Sequence, residues 1–159
     1  MTVATDEEYA NAVFEIAAQA QQQHGEFLPF ILPNEDGDCV EFFVLSNDYY
    51  AKRIDDYLTL YLDEETEEVV GFVIKNITRI LRRVATQQAV YSFVIREGEM
   101  CLHALFAAMF SGGEPRVHHI REYDIVADIA WRNNFDKVRI PSILEKANVP
   151  NTAPETISA

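Results

Sequence analysis

Two alternating segments with a block of charge between them constrain this chain more than any other feature. From Ile54 to Leu62 the side chains alternate, with Leu58, Leu60 and Leu62 on one side and Tyr57, Thr59 and Tyr61 on the other. From Val69 to Ile77 they alternate again, Val70, Phe72, Ile74 and Asn76 opposing Val69, Gly71, Val73 and Lys75. A period of two marks a strand with one buried face. The run between them, Asp63-Glu64-Glu65-Thr66-Glu67-Glu68, is too charged for anything but an exposed connection. The pair is predicted as a hairpin, and Gly71 in mid-strand marks a bulge or the close approach of another side chain.

The flanking segments supply further elements. Thr5-Asp6-Glu7-Glu8 has the form of a capping box, followed by Tyr9, Val13, Ile16, Ala17 and Ala20 at helical spacing. This predicts a helix over about 6–23, ended by Gly25. Phe27 to Pro33 is apolar, but its two prolines deny it a helix or a central strand, so it should lie extended and bury Phe27, Phe30 and Leu32. Cys39 to Leu45 reads as a strand covered from both sides. After the hairpin come a helix over about 78–88 (Ile77, Ile80, Leu81 and Val84 inward), a strand over 90–95, and helices over 99–110 and 121–133. A short strand at 137–140, closed by Pro141, and a brief helix over 142–147 complete the pattern. The prediction is one α+β domain over residues 1–147, mainly an antiparallel sheet of about four or five strands packed by an N-terminal helix and two or three C-terminal ones. Residues 148–159 read as a flexible tail.

With 48% hydrophobic residues in 159, the chain is too apolar for disorder and long enough for a core that needs no metal or disulfide. Cys39 and Cys101, without a paired spacing, read as reduced, buried thiols. No basic-then-apolar leader opens the chain and no apolar run spans a bilayer, so the expected location is cytoplasmic, with no membrane contact. The net charge is −13, which argues against direct nucleic-acid binding. That charge is unevenly placed. Residues 1–68 carry 17 acidic and 2 basic side chains, and residues 69–159 carry 9 and 11. The simplest expectation is that Arg79, Arg82 and Arg83 lie near acids of the first half.

No pattern of catalysis or metal binding emerges. Placing Gly37 at the glycine of a calcium loop puts Leu32 and Phe43 where carboxylates are required. His103, His118, His119, Cys39 and Cys101 offer no zinc spacing, and no serine sits in a nucleophile elbow. Cys101 with a histidine remote in sequence stays open as a pair that only the fold could assemble. No phosphate-binding loop or dinucleotide fingerprint is present, so no cofactor is expected. Asp55-Asp56 beside Lys52-Arg53 and Tyr49-Tyr50 is the densest mix of acids, bases and phenols. Tyr50, Arg53 and Asp55, if gathered at a cleft, could bind a polar ligand or act as acid and base.

Residues 54–81, Ile54 to Tyr61 with Val69 to Ile77, resemble a hairpin in small uncharacterised bacterial proteins. There an acidic position precedes an alternating strand, and a valine-glycine pair opens the next strand before an isoleucine. That family has no assigned catalytic residues, so the resemblance implies a hairpin and nothing functional. Three functions stand as expectations. The first is a non-enzymatic domain that binds a protein partner or itself as a homo-oligomer. The second is a small-molecule enzyme or ligand binder using Tyr50, Arg53 and Asp55. The third is an acidic mimic of DNA that inhibits a DNA-binding protein.

Overall fold

The computed structural model describes residues 7–8, 11–16, 27–111 and 119–151. The first described residues, 7–8 and 11–16, are helical and are labelled α1. Strands β1 (Phe30–Asn34), β2 (Cys39–Phe43), β3 (Tyr49–Arg53), β4 (Leu58–Asp63) and β5 (Val69–Lys75) follow. Then come α2 (Ile77–Ala85), α3 (Gln88–Val94), β6 (Ile95–Arg96) and β7 (Glu99–Cys101). Helices α4 (Leu102–Ser111) and α5 (Ile120–Arg132), strand β8 (Lys137–Arg139) and helix α6 (Pro141–Ala147) complete the order. The fold is α+β: a five-stranded antiparallel sheet, β1-β2-β5-β4-β3, and a three-stranded one, β6-β7-β8.

Alternation decides which side chains of the large sheet enter the main core, and on the opposite face the registered pair Thr59 and Val73 is buried as well. Val40, Phe42, Leu58, Leu60, Leu62, Phe72 and Ile74 point to one side and join the core with Ile77, Ile80, Leu81 and Val84 of α2. The registered pair Phe42 and Phe72 stacks at 4.4 Å between ring centroids in its middle. Leu102, Leu105, Phe106 and Met109 of α4 and Tyr123, Val126 and Ala130 of α5 extend the same core, as their helical spacing requires. No helix among the described residues is long and apolar enough to cross a membrane.

Several expectations are corrected. Residues 54–57 do not belong to the strand at Leu58; they turn the chain between β4 and an additional strand, β3, which has both faces exposed. Residues 90–94 are helical, because Tyr91 and Val94 are buried three positions apart while Phe93 is 75% exposed. Residues 99–101 form a strand before α4 begins. In α1 Ile16 is exposed, and Phe14 meets Phe30 edge-on at 6.2 Å. The remainder of the 6–23 helix, with Tyr9, Ala17 and Ala20, lies outside the described residues. The proline-bearing segment supplies edge strand β1 and half-buries Phe27, Phe30 and Leu32. Residues 148–151, assigned on sequence to the tail, are tied down: Gly98 N donates to Asn151 O at 3.1 Å, and the Tyr91 hydroxyl donates to Pro150 O.

Among the described residues, no ion pair joins Arg79 or Arg82 to an acid of the first half. Arg82 donates to the carbonyls of Ala147 and Lys146 at the end of α6, where the helix dipole favours a cation. Arg79 stands over the Tyr57 ring at 5.8 Å. Three first-half carboxylates are held by uncharged donors instead. Asp38 takes the Thr78 N–H and hydroxyl at the start of α2, and Asp55 and Asp63 each fasten a turn. Acid near the N-terminus of α2 also suits its dipole.

Candidate functional site

Tyr50, Arg53 and Asp55 do not gather at one point. Tyr50 pairs with Leu62, so its ring leaves the sheet on the side opposite Arg53, and its hydroxyl reaches Glu67 at 3.4 Å. Arg53 turns to the Asp56 carboxylate and the Asp55 carbonyl. The Asp55 carboxylate faces inward. Its Oδ1 accepts the N–H groups of Tyr57 and Leu58, both at 2.8 Å, and both of its oxygens accept from the Tyr123 hydroxyl at 3.1 and 2.9 Å. Burial, and then the neighbouring Asp55 charge, push the Tyr123 phenol far above its ordinary range. This is a fastening between the β3–β4 turn and α5. A cleft of about 430 Å³ opens elsewhere, between Leu45, Val69 and the Asp128–Arg132 pair, and none of the three lines it.

Cys101 does meet a histidine's neighbourhood, through Asp136. The thiol donates to Asp136 Oδ2 at 3.4 Å, while Oδ1 takes the His103 N–H at 3.2 Å and faces His103 Nδ1. Burial raises the Cys101 pKa, and the Asp136 charge raises it further. A carboxylate beside a thiol opposes the thiolate that nucleophilic chemistry needs. Burial also pushes Asp136 up, but the His103 and Cys101 bonds outweigh it and hold the carboxyl below its ordinary value. The group therefore joins β7 and α4 to the loop before β8. Cys39 is likewise unsuited, since burial, with Glu41 and Asp38 nearby, lifts it to about 11. No group of three or more His, Cys, Asp or Glu among the described residues is placed to hold a metal ion.

What the fold does assemble lies on the outer face of the five-stranded sheet. Four aromatic rings from four strands form a continuous row there. Phe30 stacks on Phe43 at 5.2 Å, Phe43 on Tyr61 at 5.5 Å, and Tyr61 lies 4.7 Å from Tyr49. Gly71 makes the row possible. It stands in register between Phe43 and Tyr61, and a Cβ there would lie 2.4 Å from the Phe42 carbonyl oxygen and 3.1 Å from Tyr61 Cδ2. With no side chain on the intervening strand, the two rings meet across it. The register slips next to this point, between Tyr61 and Leu62. The Tyr61 hydroxyl donates to Glu41 at 3.2 Å, and burial first, then that carboxylate, push its pKa well upward.

The row is bounded by acid. At one end of the sheet lie Glu35, Asp36 and Asp56; at the other lie Asp48 and the turn from Asp63 to Glu68. That turn is more ordered than a solvated loop. Asp63 Oδ1 takes the N–H groups of Glu65 and Thr66 at 2.8 Å, and Asn47 donates to its other oxygen at 2.6 Å. The Thr66 N–H, then Asn47 and Glu65, hold the Asp63 carboxyl down at about 2.

The row ends at an open strand. β3 is the last strand of the sheet, and all five of its residues are exposed. Glu64 N donates to Asp48 O and Ile54 N to Leu58 O. These two bonds fix the even-numbered residues of β3 as those bonded to β4. The N–H and C=O groups of Tyr49, Ala51 and Arg53 therefore point away from the sheet. The opposite edge differs, because β1 carries Pro33, which has no N–H to offer. No family model, curated protein or solved structure matches the chain.

Proposed function

We propose that this protein acts by binding a polypeptide, through the outer face of its five-stranded sheet, and not by catalysis. The observation that carries the reading is the row Phe30–Phe43–Tyr61–Tyr49, half-buried at its centre and open at Tyr49. An aromatic centre inside a polar rim is the anatomy of a protein interface. Asp48 and the acidic turn from Asp63 to Glu68 flank the row at one end of the sheet and the rings present π faces, so the complementary partner offers arginine or lysine there. The residues best suited to chemistry support the same reading, since Asp55, Cys101 and His103 are engaged in fastening the fold.

The test is a titration of isotope-labelled protein with a short Arg- and Lys-rich peptide, followed by amide chemical shifts. Shifts should centre on Phe30, Phe43, Tyr49 and Tyr61, disappear with Tyr61→Ala, and fail to arise with an acidic peptide. Shifts confined to the Asp128–Arg132 cleft or to the surroundings of Cys101, or no shifts at all, contradict the proposal.

A further inference from the structure

We infer that β3 pairs with β3 of a second copy of this chain, antiparallel, in the register that sets Ala51 opposite Ala51. The inference rests on the binding reading above and names a partner for the end of the sheet where the aromatic row opens. Three observations lead to it. The strand is a terminal one, exposed at every position, and among the described residues nothing pairs with its outer margin. Its free N–H and C=O groups belong to the odd-numbered residues. An antiparallel pair centred on Ala51 sets Tyr49 opposite Arg53, Ala51 opposite Ala51 and Arg53 opposite Tyr49. Those are the residues whose groups are free, so the two copies would exchange about six backbone hydrogen bonds.

The side chains agree with the backbone. The sequence Tyr49-Tyr50-Ala51-Lys52-Arg53, read against its own reverse, places a tyrosine opposite a cation at every position except the centre. Arg53 of the second copy meets Tyr49 on the outer face, and its Lys52 meets Tyr50 on the other. Basic residues on an edge strand ordinarily discourage pairing. In this register neither cation faces another, and alanine at the axis lets the two backbones approach. The strand is also a basic island in the acidic half, with two cations and no carboxylate between residues 49 and 53. The two-fold axis runs through the sheet, so the product is one continuous ten-stranded sheet with both aromatic rows on the same side. At the net charge of −13 per chain, moderate salt should strengthen the pairing by screening long-range repulsion.

The experiment is sedimentation equilibrium of the full chain in moderate salt, with the fold of each variant checked by thermal melting. Wild type should sediment at twice the chain mass. Ala51→Pro removes the central N–H at an edge, where proline is compatible with folding, and should weaken the dimer at least about tenfold. Tyr49→Lys sets like charges opposite each other and should also weaken it, and Tyr49→Lys with Arg53→Glu should restore it. A wild type that stays at single-chain mass at millimolar concentration overturns the inference. So does Ala51→Pro that dimerises undiminished, or a double variant no better than Tyr49→Lys alone. A monomer that still takes the basic peptide on its sheet face overturns self-pairing only. A dimer that takes no such peptide overturns the face reading only.

Discussion

Replacing Tyr123 by phenylalanine isolates the fastening that distinguishes Asp55 as a structural residue from Asp55 as a catalytic acid. The Tyr123 side chain is 1% exposed and its ring packs edge-on against Phe106 and Phe110 at 5.2 and 5.3 Å, so phenylalanine keeps the packing and leaves no cavity. What is lost is one hydroxyl, shared between Asp55 Oδ2 at 2.9 Å and Oδ1 at 3.1 Å. Oδ1 keeps the two turn N–H bonds, whereas Oδ2 loses its donor from α5. A hydrogen bond to a charged group contributes about 1.5–3 kcal/mol, so a destabilisation of about 2 kcal/mol is expected. For a domain of this size that lowers Tm by roughly 4–8 °C. Urea unfolding should give the same loss with an unchanged m-value, because surface burial is the same. Asp55→Ala should lose more, since it also leaves the Tyr57 and Leu58 N–H groups without an acceptor, and adding Tyr123→Phe to it should have little further effect. A Tyr123→Phe midpoint within 1 °C of wild type, or full additivity of the two changes, would refute the reasoning.

Other outcomes follow from the same geometry. Gly71→Ala should destabilise by about 1–3 kcal/mol in urea, because its Cβ meets a backbone oxygen at 2.4 Å that cannot move aside. Tyr61→Ala should not rescue it, and a neutral Gly71→Ala would mean the strands are not this close. Asp63 has its carboxyl at about 2 in the folded chain against 3.8 ordinarily, so its contribution is complete above about pH 4 and is lost as pH falls towards 2. The gap in urea midpoint between wild type and Asp63→Ala should narrow across that window, and a constant gap would contradict it. Thermal stability should rise with added NaCl up to about 0.15 M, as screening relieves the repulsion among the acids of residues 1–68. A Tm lowered by salt would mean that ion pairs dominate.

The elements that could be read from the sequence are those whose side chains enter the core at a regular spacing. Leu58, Leu60 and Leu62 announce β4 because each meets the core, and Leu102, Leu105, Phe106 and Met109 announce α4 for the same reason. β3 gives no such signal, since a strand open on both faces has no apolar alternation to show. The segment from Val90 to Val94 is rich in β-branched and aromatic residues, yet only Tyr91 and Val94 are buried, and packing overrides composition. The fastening of Asp55 was hidden because its donor lies 68 residues away. The aromatic row was hidden because it exists only once the strand order brings Phe43 and Tyr61 to either side of Gly71. The glycine itself was the one visible sign, as a mid-strand position that a neighbouring ring would cross.

Residue-resolved amide exchange over β3 tests the open margin of the sheet most directly. In dilute protein, Tyr50 and Lys52 should be protected by β4 while Tyr49, Ala51 and Arg53 exchange quickly. At millimolar concentration all five should be protected, with Ala51 showing the largest gain. Protection that keeps its alternation at every concentration would show the margin unpaired, and uniform protection in dilute solution would show that the odd-numbered N–H groups were never free.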